Sequence, residues 1–174
     1  LKPLYVAEVN TVAGLRDLLV SPKKPLRIDV EKAIEWVQKR TGMELAELQK
    51  EAVRKAISGK VVVITGGPGT GKIAVVNSVI SILETKAQRI LLASPTGRAA
   101  KTLHRLMEYN PAEGDFKRDL ENPLDGDVVV VDEASMVDIL LMNRLLQAVP
   151  RHATLARVGL VDDDGEDAPP GVRC

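Results

Sequence analysis

The sequence has a single cysteine, Cys174, which excludes an intramolecular disulfide and any thiolate-rich metal site and fits a reducing cytoplasm. Aromatic residues are nearly as scarce. Tyr5, Trp36, Tyr109 and Phe116 are the whole set, too few for a surface that grips single strands mainly by stacking bases on rings. No apolar run approaches the roughly 18 residues that a membrane helix requires, and no signal-peptide pattern opens the chain, so a soluble, cytoplasmic protein without a membrane partner is expected. Charge of one sign is not in excess either. With 24 Lys and Arg against 24 Asp and Glu, the chain is neither a uniformly basic coat for nucleic acid nor an acidic disordered segment, and any nucleic-acid contact must be local. The 174 residues, 45% of them hydrophobic, suit one domain of ordinary size rather than a multidomain machine.

What is present is an alternation of patterns. Residues 1–42 read as a helical N-terminal connector region, with a possible helix over 12–20, a Ser21-Pro22-Lys23-Lys24-Pro25 break, and then a helix that Asp29 can cap and Gly42 can stop, where Trp36 is expected to pack. A second helix follows, with Leu45, Leu48, Ala52 and Ala56 on one stripe and Gly59 as terminator. Val61-Val62-Val63-Ile64 then has the β-branched character of a strand buried on both faces. The alternation continues with a helix over 71–84, a strand over 90–93, a helix over 96–109, a surface loop over 110–127, a strand over 128–131, a helix over 136–148 and one more possible strand over 154–161. Strands alternating with helices imply an α/β fold with a parallel sheet flanked by helices. Residues 43–161 are the expected main domain. Residues 162–174, acidic and rich in Pro and Gly without periodicity, are expected to be a disordered tail.

The chemistry begins where the first buried strand ends. Gly66-Gly67-Pro68-Gly69-Thr70-Gly71-Lys72 matches G-x-x-x-x-G-K between a strand and a helix. Glycines there let backbone N–H groups converge on phosphate oxygens, Lys72 adds a point charge, and the helix N-terminus adds the favourable end of its dipole. A glycine-rich turn without a ligand is the plain alternative. The motif departs at its last position, where Ile73 replaces the Ser or Thr whose hydroxyl would reach Mg²⁺, so a bound metal should be weakened and hydrolysis should suffer more than binding. About 60 residues on, Val128-Val129-Val130-Val131-Asp132-Glu133 places two acids at a strand's carboxyl end, where ligands of open α/β sheets sit. Asp132 would hold Mg²⁺ through water and Glu133 would orient or deprotonate an attacking water, making Lys72, Asp132 and Glu133 the catalytic candidates; two acids that merely solvate a strand end are the alternative. Asp138 reads as a solvated helix residue.

Three blocks together resemble one family: Gly66 to Lys72, Ala93-Ser94-Pro95-Thr96-Gly97-Arg98-Ala99-Ala100, and Asp132-Glu133-Ala134-Ser135-Met136-Val137-Asp138. They are similar to the first motor domain of RecD-type superfamily-one DNA helicases, the family of the exodeoxyribonuclease V alpha subunit, over about residues 27–155. The resemblance implies a RecA-like P-loop fold, ATP-driven movement on single-stranded DNA, a role in DNA repair, and as partners a second motor domain or the subunits of a helicase–nuclease. It implies that Gln49 reads adenine beside a nucleotide held by Gly67, Pro68, Gly69, Thr70, Gly71, Lys72 and Ile73. It further implies that Ser94, Pro95, Thr96 and Arg98 touch the DNA backbone, as hydroxyls and a guanidinium can, and that Thr102 and His104 form a second DNA-side block.

The chain departs from that pattern. Relatives separate the S-P-T-G-R-A-A helix from the T-x-H block by about a dozen residues, and here Ala100-Lys101-Thr102 fuses them. The Gly-Asp-x-x-Gln-Leu motif expected after Leu155 is replaced by Val158-Gly159-Leu160-Val161-Asp162-Asp163-Asp164-Gly165, a change that resembles a reading-frame shift or a degraded gene end. The motor domain is therefore expected to be incomplete. The chain's function is expected to be that of an ATP-binding domain of a DNA helicase or, as the alternative, a non-hydrolysing nucleotide-binding module derived from one. A small-molecule kinase is disfavoured, because the acids and the S-P-T-G-R block would have no role in it.

Overall fold

The structure, a computed structural model, describes residues 2–67, 69–96 and 101–159, together with the backbone of 172–173. Pro68, Arg98, the last two residues of the expected 154–161 strand and residues 162–171 of the expected tail lie outside the described residues. Helix α1 (Lys2–Val20) is longer than the expected 12–20 segment. It packs on α6 (Ile139–Ala148), and the approach is close at Gly14, where an added Cβ would lie 3.3 Å from the Leu146 Cβ. Helix α2 (Val30–Thr41) begins where Asp29 accepts a hydrogen bond from the Lys32 amide at 3.3 Å and ends at Gly42, whose φ of 67° only glycine adopts at little cost. Trp36 does not join the core. It is 39% exposed, and the Arg40 guanidinium lies 5.1 Å from its ring centre, one helical turn on.

Helix α3 (Glu47–Ser58) leads into strand β1 (Val61–Thr65), and α4 (Lys72–Glu84) follows the glycine loop. Strand β2 (Ile90–Ser94) comes next. The helix expected over 96–109 is not found in its described part. Lys101–Thr102 forms a short strand, β3, and only Leu103–Leu106 is helical, as α5. The expected loop contains a small hairpin, β4 (Tyr109–Asn110) with β5 (Asp115–Phe116). Strand β6 (Val128–Val131), a 3-10 turn over Ala134–Met136, α6 and strand β7 (Thr154–Gly159) complete the domain. Val172–Arg173 adds a short strand, β8.

The sheet order is β3-β2-β6-β7-β1-β8, parallel except for β8 beside β1. The four valines of β6 explain its central position, because all of them are buried and they face opposite ways. Val128 and Val130 join the cluster that α2, α3 and α4 cover, including Ile34, Val53 and Ile82. Val129 and Val131 join the cluster that α6 and α1 cover, including Leu145 and Leu18. A strand buried on both faces has no use for alternation and reads as an unbroken apolar run. Among the described residues no helix is long and apolar enough to cross a membrane.

Candidate functional site

Adjacent parallel strands end on one edge of the sheet, and that edge gathers the predicted chemistry. The loop after β1 turns through left-handed glycines at Gly69 (φ 77°) and Gly71 (φ 79°) and delivers Lys72 to the first turn of α4. Among the described residues no side chain caps α4, so its first amides keep their hydrogen-bonding capacity at the loop. The Lys72 ammonium donates to the carbonyls of Gly66 and of Gly67, the latter at 2.6 Å, so the loop satisfies its own cation. Thr70 closes the loop further, its hydroxyl donating to the Gly67 carbonyl at 2.9 Å.

Gln49 reaches the same loop from α3. Its Nε2 donates to the Thr70 carbonyl at 3.2 Å and its Oε1 accepts the Ala46 amide at 2.9 Å. The φ of Gly71 is what favours glycine there; an added Cβ would lie 2.2 Å from Gln49 Nε2 and would displace that side-chain amide.

Asp132 and Glu133 stand at the end of β6. The Asp132 amide donates to the Ala93 carbonyl at 2.9 Å, and Asp132 Oδ1 accepts the Glu133 amide at 2.9 Å. Glu133 has a φ of 52°, a left-handed conformation uncommon outside glycine. Its Oε2 accepts the Thr96 hydroxyl at 2.5 Å, a contact across 37 residues of sequence that no local pattern announced. A cavity of about 410 Å³ joins these groups, lined among others by Lys72, Ile73, Asp132, Glu133, Met136 and Gly159.

Ile73 is 75% exposed at that cavity. An alkyl group offers no oxygen to a hard cation, and among the described residues no group of three or more His, Cys, Asp or Glu is placed to hold a metal ion. The loop amides and Lys72 suit a phosphate chain, and at the same cavity Asp132 and Glu133 carry the oxygens a hard cation would need while Ile73 supplies none.

The predicted strand-contact residues are only partly together. Ser94 is buried at the end of β2, Pro95 is half-buried and Thr96 is exposed. Thr102 pairs with Ser94 across the β2–β3 ladder, so the two blocks meet edge to edge. Thr102 also caps α5, its hydroxyl accepting the Arg105 amide at 3.2 Å. His104 is exposed and packs instead against Tyr109 and Phe116, with ring centres 5.6 and 5.5 Å away. That ring cluster borders a separate groove of about 800 Å³ between α1 and α6. Asp138, expected to be merely solvated, caps α6 by accepting the Leu141 amide at 2.8 Å.

A protein-family profile described as an AAA domain matches residues 49–166. The chain is 34% identical over 168 residues to the ATP-dependent RecD2 DNA helicase of Deinococcus radiodurans, covering 90% of this chain and 23% of that protein. It is 36% identical over 148 residues to the RecBCD enzyme subunit RecD of Mycobacterium tuberculosis, covering 66% of this chain and 26% of that protein. The chain thus spans about a quarter of the length of these curated relatives. The crystal structure of Pif1 helicase from Candida albicans shares the fold with a TM-score of 0.51 at 23% identity, covering 67% of this chain and 33% of that one. With a glycine loop, a strand-end acid pair and an S-P-T block on one edge of a parallel sheet, the chain belongs to the AAA-domain P-loop family, in its RecD-type superfamily-one helicase motor branch.

Proposed function

We propose that the chain is the ATP-binding part of an ATP-dependent helicase that acts on single-stranded DNA. The observation that carries this reading is the placement of an uncapped α4 N-terminus and Lys72 across a cavity from Asp132 and Glu133. Amides of the loop and the helix start would take the phosphate oxygens, and Lys72 would exchange the carbonyls of Gly66 and Gly67 for the terminal phosphates. Gln49 would turn from Thr70 to the adenine edge. Glu133 would orient the attacking water, and Ser94, Pro95, Thr96, Arg98, Thr102 and His104 would follow the DNA backbone. A second motor domain or helicase–nuclease subunits would complete the machine in the cytoplasm, with DNA repair as its setting.

The second reading, a nucleotide-binding module that does not turn over, is favoured by one observation, the exposed Ile73 where a metal-binding hydroxyl is wanted. Calorimetry with ATP and ADP, paired with phosphate release measured with and without an oligothymidylate, separates the two. Binding with strand-stimulated release supports the helicase reading. Binding without release supports the module, and absence of heat from a folded chain with either nucleotide overturns both.

A further inference from the structure

Helix α1 is apolar on two sides, and we infer that its outer side is the seam of a homodimer in which α1 of a second copy lies antiparallel to it. A helix on a domain surface needs one apolar stripe. That stripe of α1 faces α6, with Ala7, Thr11 and Leu18 buried. The opposite side is apolar as well. Of the fifteen large hydrophobic side chains exposed among the described residues, seven belong to this one helix of 19 residues, and a concentration of that kind marks a surface that another molecule covers.

The spacing and the charges of the outer side name the second copy as its occupant. Tyr5, Val9, Val12, Arg16 and Leu19 follow one another at steps of four, three, four and three, the repeat of a two-helix seam, and Lys2 continues it towards the start of the helix. All six are exposed. A second α1 can lie along this seam in two directions. Parallel pairing sets Lys2 against Lys2 and Arg16 against Arg16. Antiparallel pairing about the midpoint between Val9 and Val12 sets Val9 against Val12, the Arg16 guanidinium against the Tyr5 ring, and the aliphatic stem of Lys2 against Leu19, each contact made twice by the two-fold symmetry. The helix dipoles also oppose one another in this direction. The seam is thus complementary to itself in one orientation only. A helix of 19 residues is about 28 Å long. An interface of that length lies at the small end of the size scale, so monomer and dimer exchange with concentration.

The test is sedimentation equilibrium of the full chain over about 1 μM to about 1 mM, the range in which small interfaces associate. The wild type is expected to pass from monomer to dimer. Tyr5 is 68% exposed, so substitutions there open no core, and melting temperatures of the monomers confirm folding. Tyr5→Lys faces Arg16 with a like charge and Tyr5→Glu faces it with an opposite one. Tyr5→Glu is therefore expected to dimerise at least about tenfold more tightly than Tyr5→Lys, the effect of two reversed charge pairs at a helix surface. Adding Arg16→Glu to Tyr5→Lys is expected to restore the dimer. Anionic lipid vesicles are added to the dilute chain in parallel, because a helix with exposed apolar and basic side chains also suits a lipid surface. A wild type that stays monomeric at every concentration, with or without binding to vesicles, overturns the proposal. Association that Tyr5→Lys and Tyr5→Glu leave equally intact, or weaken equally, overturns it too.

Discussion

Gln49 on α3 is bonded to Thr70 in the glycine loop, Nε2 to carbonyl oxygen at 3.2 Å, so a helix before the first strand braces the phosphate cradle after it. Removing that brace exposes two consequences. Gln49→Ala leaves the Ala46 amide and the Thr70 carbonyl to water, and because the site is exposed the loss should be at the lower end of a hydrogen bond's net value, about 0.5 kcal/mol. Urea unfolding checks that. A competition experiment between ATP and GTP should show the larger effect, a loss of preference for ATP.

Ile73→Thr should strengthen nucleotide binding when Mg²⁺ is present and leave it unchanged in EDTA, because the new hydroxyl adds a hard oxygen beside Asp132. With 75% of Ile73 exposed, the substitution removes no core packing, and stability should move by no more than about 0.5 kcal/mol. Paired calorimetric titrations with and without the metal read the first effect and thermal melting reads the second. Equal gain in both titrations would exclude the metal as its cause.

Arg157 sits in β7 between Val131 and Val63, and its buried Nε has no hydrogen-bond partner among the described residues. Its Nη2 donates to the Ala134 carbonyl at 3.4 Å, and burial pulls the guanidinium below its ordinary pKa. A partly buried cation in this position costs stability. Arg157→Val should raise the urea midpoint, by about 1 kcal/mol of unfolding free energy, since a β-branched side chain suits the strand and removes the orphaned donor. A lower midpoint would show that the aliphatic stem of Arg157 contributes more than its charge costs.

Asp127 ties the opposite edge of the sheet together. Its side chain is almost fully buried and accepts Lys24 Nζ at 3.1 Å and the Arg89 amide at 2.9 Å, with His152 Nε2 at 3.6 Å. Burial alone would raise its pKa, but the Arg89 amide and the Lys24 ammonium outweigh it and hold the carboxyl below its usual value. A carboxyl depressed in the fold contributes stability that is complete above its unfolded pKa of about 3.9 and is lost as pH falls through the folded value. Asp127→Asn should therefore lower stability at pH 7 and flatten the acid limb of a stability–pH curve measured by chemical denaturation.

Much of this architecture is legible in order along the chain. The run at 128–131 is β-branched and apolar because that strand is buried on both faces, whereas the similar run at 61–64 is fully buried only at Val62 and Ile64; Asp29 and Gly42 mark the ends of α2 by local hydrogen bonding and a left-handed turn. The glycine loop and the acid pair are legible for the same reason, since each is a contiguous group whose spacing is set by one strand end. Less legible was the segment after Thr96. Its composition reads as helix, yet Lys101 and Thr102 pair with Ala93 and Ser94, because a free edge of β2 offers a ladder that outweighs propensity.

The sequence by itself therefore determined the class of fold, the glycine loop between β1 and α4 and the alkyl side chain of Ile73 at the end of its motif, all of which are written in short contiguous segments. Tertiary structure decided which distant groups share a proton or a charge: Thr96 with Glu133, Gln49 with Thr70, and Asp127 with Lys24. Those pairings follow from strand order and register, which bring to within about 3 Å of one another side chains that no periodicity along the chain connects.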